Sequence, residues 1–227
     1  MSQALPSALV SYPAQAAFGR TLPKSKIYEH SGANTRLRDL FVKQVDQIVW
    51  QYKLAPETIN LPARKGVPEI QIFSVQLKTP ELHWDVLRCI DRAVQFPVLF
   101  ELCLAGRTRV VAAYKKPGEA GVAHWTLSDY FASDWLPADS ARAAMPVVLN
   151  LGALYAQLLY PLIPLPARPH ESLAELVERV SKVQATQREV DKTVSRLEKE
   201  KQFNRKVEIN ATLRRLKSEL ELWRSTK

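Results

Sequence analysis

The residues Glu69-Ile-Gln71 are the chain's nearest approach to a catalytic pattern. They sit in a run that reads as a β-strand, so alternation places both polar side chains on one face. Glu57 precedes them, Lys78 follows them, and Glu101 lies on the next predicted strand. Two carboxylates that hold Mg²⁺ beside a basic or amide group make the site of a metal-dependent nuclease. The pattern departs from that chemistry in two places: no Asp ends a preceding strand, and Gln71 stands where a lysine is expected. A solvated strand edge is the plainer account, since such side chains are mostly exposed.

Other reaction chemistries find less support. The seven glycines form no GxGxxG or GxxxxGK[ST] phosphate loop. No GxSxG or SxxK nucleophile motif occurs. His30, His83, His124 and His170 lack the close spacing of metal ligands. Cys89 and Cys103 lie in apolar segments, where a thiolate is disfavoured and a thiol behaves as a small core group. No metal and no cofactor are therefore expected.

A second group of side chains suits anion contact. Lys24 and Lys26 precede the first predicted helix, and Arg36 and Arg38 fall in its first turn. Cations there oppose the helix macrodipole, so Glu29, Asp39 or an anionic partner must compensate them. In the last quarter of the chain, Lys206, Arg214 and Arg215 are further candidates for phosphate contact. Interspersed glutamates favour solvated or paired side chains instead.

The elements that must position these groups follow from periodicity. Leu37, Leu40, Phe41, Val45, Ile48, Val49 and Tyr52 recur at three- and four-residue spacing and predict a helix over 34–53, capped by Ser31 or Asn34 and stopped by Pro56. Residues 69–77 predict a strand. Its apolar parity changes midway, which requires either a bulge or burial on both faces. A helix is expected over 83–94, a hairpin over 98–104 and 108–114 turning at Ala105-Gly106, a strand over 122–127 and a helix over 149–159. This order predicts an α/β (α+β) domain, with a small mixed sheet of three to four strands and flanking helices.

From Glu171 onward there is no Gly or Pro. Leu173, Leu176, Val180, Val183, Val190, Val194 and Leu197 follow a 3-4 alternation, and Ile209, Leu213, Leu216, Leu220 and Trp223 form a second series. The interval from Leu197 to Ile209 breaks the heptad phase. Either one long helix carries a phase shift, or the chain folds back near Phe203-Asn204 with Val194 against Leu213 and Val190 against Leu216. In both cases a coiled-coil seam built from Val183, Val190, Val194, Leu197, Ile209, Leu213, Leu216 and Leu220 is the expected partner-binding or self-associating surface. A helical pair packed on its own globular domain is the alternative.

The organisation expected is thus a flexible arm over 1–22, a globular α/β domain over 23–166 and a C-terminal coiled coil over 167–227, with Pro161, Pro164, Pro166 and Pro169 marking the join. Of the net charge of +9, the segment from Arg168 contributes +5, from 15 basic and 10 acidic residues. Basic excess is therefore concentrated on the helical segment. It permits an acidic partner without requiring one. No secretory leader and no membrane span are apparent, and two cysteines make no disulfide framework, so a cytoplasmic protein is expected.

Five segments together carry a resemblance: the opening Lys24-Ser-Lys-Ile-Tyr-Glu-His30, the run Ile48-Val-Trp50-Gln-Tyr-Lys-Leu-Ala-Pro-Glu-Thr-Ile-Asn60, the strand Glu69-Ile-Gln-Ile-Phe73, the join Ile90-Asp-Arg-Ala-Val-Gln-Phe-Pro-Val-Leu-Phe100 and the stretch Glu200-Lys-Gln-Phe-Asn-Arg-Lys-Val-Glu-Ile-Asn210. Over about residues 20–225 the chain resembles a bacterial family catalogued as domain of unknown function 4391. The family has no assigned activity, so no catalytic residue is carried over. Its members tend to be encoded beside helicases and DNA methyltransferases of restriction–modification or phage-defence type. The resemblance therefore implies an accessory role near DNA, with a helicase or methyltransferase as partner.

Overall fold

The structure is a computed structural model that describes residues 7–118 and 125–225. The chain divides into two compact units, Met1–Leu162 and Ile163–Lys227.

The first unit is mixed α/β. Its elements run β1 (Val10–Ser11), β2 (Ala17–Thr21), α1 (Lys24–Ser31), α2 (Thr35–Gln44), β3 (Val45–Leu54), α3 (Pro56–Ile59), β4 (Ile70–Leu77), α4 (Trp84–Ala93), β5 (Val98–Leu104), β6 (Arg107–Pro117), β7 (Trp125–Ala132), β8 (Leu136–Pro137), β9 (Ala143–Ala144) and α5 (Leu151–Leu159). A seven-stranded sheet has the order β2-β3-β4-β5-β6-β7, with β8 added beside β6. Strands β4 and β5 are parallel and joined through α4; the other pairings in this sheet are antiparallel. β1 and β9 form a separate parallel pair.

The sheet is larger than the three to four strands expected, for two reasons. The helix predicted over 34–53 is α2 followed directly by β3. The run Ile48-Val49-Trp50-Gln51-Tyr52 happens to keep helical spacing, but its β-branched and aromatic side chains fit a pleated surface. Residues 7–21, expected to belong to a flexible arm, instead contribute β2 to the sheet edge and β1 to the smaller pair, with Leu9, Val10 and Ala16 buried. Of the strand predicted over 122–127, residues 122–124 lie outside the described residues and Trp125 opens β7.

Strand β4 is buried on both faces, which accounts for its change of apolar parity. One face carries Phe73, Val75 and Leu77 into the main core with Phe41, Val86, Leu87, Ile90, Phe100 and Val111, so α1, α2 and α4 cover this side. The opposite face presents Ile70, Ile72 and Leu99, also buried. Asn34 caps α2, its side chain accepting from Leu37 N at 2.9 Å. The β5–β6 hairpin turns through Ala105 and Gly106, both with positive φ.

The second unit holds α6 (Leu173–Lys199) and α7 (Phe203–Arg224). The interruption is Glu200–Gln202, so the chain folds back slightly ahead of Phe203-Asn204. A capping box starts α6: Ser172 Oγ accepts from Glu175 N, and the Glu175 carboxylate accepts from Ser172 N. The two helices run antiparallel, since Arg179 near the start of α6 donates to the carbonyl of Trp223 near the end of α7.

Candidate functional site

The residues of the nuclease pattern do not all converge: Glu101 is separated from the rest. Glu69 and Gln71 share the sheet face of Phe73: the Gln71 amide donates to Glu69 Oε1 at 2.6 Å, and Gln71 lines a cleft of about 480 Å³ with Phe73, Trp50, Ile27, His30 and Phe96. Lys53, the cross-strand neighbour of Gln71, reaches Glu57 at 2.7 Å and Glu69 at 3.5 Å. Its ammonium holds the Glu57 carboxyl below the ordinary carboxylate range.

Glu101 lies on the other side of the sheet. It alternates with Phe100 and Leu102, both in the main core, and its carboxylate receives both ends of the Arg142 guanidinium at 2.7 Å. A four-residue metal site over Glu57, Glu69, Gln71 and Glu101 is thereby corrected to two separate ion-paired clusters. Sequence spacing could not show this, because strand parity across β4 and β5 decides it. Among the described residues, no group of three or more His, Cys, Asp or Glu side chains is placed to share a metal ion. His30, His83 and His170 are apart; His124 lies outside the described residues. Cys89 is buried and meets Ser31 Oγ at 2.8 Å, and burial raises its thiol pKa.

The first basic group is also divided. Lys24 is structural: its ammonium donates to Val45 O at 2.6 Å and Phe41 O at 3.4 Å, closing carbonyls at the end of α2. Lys26 pairs with Glu29 at 3.0 Å on the surface. Arg38 donates to Ala33 O and lies over the Tyr28 ring. Arg36 alone opens onto a shallow cleft of about 280 Å³, which Arg88 and Arg92 of α4 also line, together with Asn34 and Asp85.

The helical unit has a different character. Val183, Val190, Leu213 and Leu220 of the expected partner seam are buried, and Val194, Leu197, Ile209 and Leu216 are half-buried. The 3-4 alternation therefore closes the hairpin on itself, and the four buried side chains are not free to receive a partner. Exposed apolar side chains lie near the turn: Phe203 is 77% exposed and Val207 53%, one helical turn apart. Lys199, Lys201, Arg205 and Lys206 flank them along the chain and are exposed. Arg214 is exposed, and Arg215 pairs with Glu219 at 3.6 Å.

The family model for a domain of unknown function (DUF4391) matches residues 10–220. The chain belongs to this family. No curated protein and no solved structure matches it. The DUF4391 match spans both units, so the α/β sheet and the hairpin are parts of one family pattern. Among the described residues of this DUF4391 chain, no helix is long and apolar enough to cross a membrane.

One further cluster was missed by sequence reasoning. Lys115 of β6 is buried; its ammonium donates to the carbonyls of Asp91 and Val94 and stands 3.6 Å from the Asp91 carboxylate. Tyr130 donates to the other Asp91 oxygen, and Tyr155 accepts from Lys115 N and donates to Ala113 O. Burial pushes the Asp91 carboxyl up to about 6 and lowers Lys115. The cluster ties α4 to β6 and β7. The only sequence signal was a lysine directly after the apolar run 110–114 of β6.

Proposed function

We propose that the chain is a non-enzymatic accessory subunit that docks on a DNA-processing partner through the tip of its helical hairpin, with a DNA contact of its own. The observation that carries this reading is the pair Phe203 and Val207, exposed at one end of a hairpin whose seam is already closed. Large exposed apolar side chains mark interaction surfaces when grouped, and the flanking lysines and arginines suit a partner groove with an acidic rim. The choice of a helicase or DNA methyltransferase as partner, and of a restriction–modification or phage-defence setting in the cytoplasm, rests on the family resemblance.

The test is co-expression with candidate helicase and methyltransferase partners of the host. Phe203→Asp with Val207→Asp should abolish co-purification while leaving the helical circular dichroism unchanged; undiminished co-purification overturns the reading. A change in molar mass between these variants and the parent would identify self-association instead. Charging Leu213 is a poor test, because a buried charge disrupts the hairpin itself.

A metal-dependent nuclease is the second reading. Its support is the grouping of Glu57, Glu69 and Gln71 around Lys53 beside the 480 Å³ cleft. Cleavage of DNA in Mg²⁺ or Mn²⁺ that is lost in Glu69→Ala would establish it.

A further inference from the structure

The α/β unit carries an arginine and tryptophan surface that neither the hairpin nor the carboxylate cluster uses. Trp84, Arg88 and Arg92 follow four-residue spacing and form one stripe along α4. Arg36, at the first turn of α2, lines the same cleft as Arg88 and Arg92. The carboxylates facing this group are Asp85, within the cleft, and Asp129, 3.3 Å from Arg88. Neither Arg36 nor Arg92 makes an ion pair with a described residue. Three guanidiniums against two carboxylates leave a net positive cleft, and it lies at the positive end of the α2 dipole.

The other end of the stripe is aromatic. Trp84 is 39% exposed and stacks on Tyr130 with ring centroids 5.6 Å apart. The Arg109 guanidinium lies 5.7 Å from the Trp84 ring and 4.7 Å from Trp135, and its Nε is buried without a hydrogen-bond partner. Trp84 is thus fixed by neighbours and still offers ring surface to solvent. From Trp84 to Arg92 the helix rises about 12 Å, the reach of about two nucleotides of extended chain.

We infer that this surface binds single-stranded nucleic acid, with Arg36, Arg88 and Arg92 on consecutive phosphates and an unpaired base stacked on Trp84. Guanidiniums that track a backbone beside an exposed aromatic platform are the chemistry of sequence-tolerant single-strand binding. A duplex keeps its bases stacked internally and has no use for the tryptophan. The inference deepens the DNA-associated part of the proposed function and rests on that reading, but it uses a different surface from the docking tip.

The test measures fluorescence anisotropy of labelled oligo(dT) and oligo(U) of twelve nucleotides, and of a twelve-base-pair duplex, with the full-length chain. Arg36→Ala with Arg92→Ala should weaken single-strand binding on the order of 10-fold or more and reduce the slope of log K against log[salt] by about 1.4. Trp84→Ala should weaken it on the order of 10-fold with the salt slope unchanged, and Trp84→Phe should recover most of the loss. Comparing the dT and U oligomers assigns the strand to DNA or RNA. The inference is overturned if the arginine double variant binds like the parent, if the duplex binds as tightly as the single strand, or if millimolar inorganic phosphate alone displaces the oligomer. Phe203→Asp should leave this binding intact while losing the partner, so failure of one proposal is distinguishable from failure of the other.

Discussion

Arg179 and Glu171 form a two-pronged ion pair, with Arg179 Nε and Nη2 donating to the two Glu171 oxygens at 2.7 and 2.8 Å. Arg179 is only 3% exposed, and its remaining bonds go to the carbonyls of Pro166 and Trp223. Arg168 donates beside it to Leu222 O and Ser225 O. Two guanidiniums therefore satisfy the carbonyl end of α7, where positive charge is favourable, and anchor the segment before α6 to the hairpin.

Removing one member leaves a desolvated charge without its partner. Arg179→Met should destabilise the helical unit by about 3–5 kcal/mol, and Glu171→Gln should act in the same direction. A double Arg179→Met, Glu171→Gln variant should lose less than the sum of the two single losses. Urea unfolding followed by circular dichroism at the helical band measures all four proteins.

Glu171 and Asp91 should respond to acid with opposite sign. The Arg179 guanidinium holds the Glu171 carboxyl below its ordinary range, so its stabilisation is complete above the unfolded value and lost as pH falls through the folded one. Asp91 is raised instead, to about 6. Between about pH 4 and 6 the native state holds a proton there that the unfolded chain has released, so stability from this group falls as pH rises across that window. Asp91→Asn should remove this dependence; the check is the difference in urea midpoint between pH 4.5 and 7, parent against variant.

The β5–β6 turn holds strain in one residue. Ala105 has φ of +46° and Gly106 +73°, the two left-handed positions of a tight hairpin turn. Alanine is poorly suited to that conformation, whereas asparagine tolerates it. Ala105→Asn should stabilise the protein by about 0.5–1 kcal/mol, a rise of about 1–4 °C in Tm, measured by thermal melting.

Lys24 and Arg36 should separate folding from binding. Lys24→Met loses the two bonds that close α2 and should cost about 1 kcal/mol in urea unfolding, with oligonucleotide affinity little changed. Arg36→Ala should do the reverse, since Arg36 is exposed and unpaired among the described residues.

Elements with strong local signals were legible in the sequence. Helix α4, the β5–β6 hairpin and the helical run from Leu173 all follow from apolar spacing and turn chemistry. Strand β3 was not, because Ile48, Val49 and Tyr52 satisfy a helical period while belonging to a strand, and only pairing with β4 decides between them. The N-terminal residues hid for a related reason: β2 has no buried side chain of its own and is held by its backbone bonds to β3. At the candidate sites, Glu69 and Gln71 were seen as neighbours, but Glu101 was joined to them across a sheet that keeps them apart. Arg88 and Arg92 escaped notice because they became neighbours of Arg36 only when α4 packed beside α2. A sequence shows which side chains are polar along one element and leaves open which elements will bring them together.

The pairing of β1 with β9 sets a schedule for biosynthesis. Val10 lies beside Ala143, and Arg142 donates to the Val10 carbonyl while holding Glu101. A segment translated more than a hundred codons ahead of its partners must wait for them, roughly ten seconds at ordinary elongation rates. Until then the Leu9 carbonyl, which accepts from Ala143 N, and the Glu101 carboxylate, which receives Arg142, have no mate. A chain truncated before Arg142 would leave both groups unsatisfied while β2 still found its place beside β3.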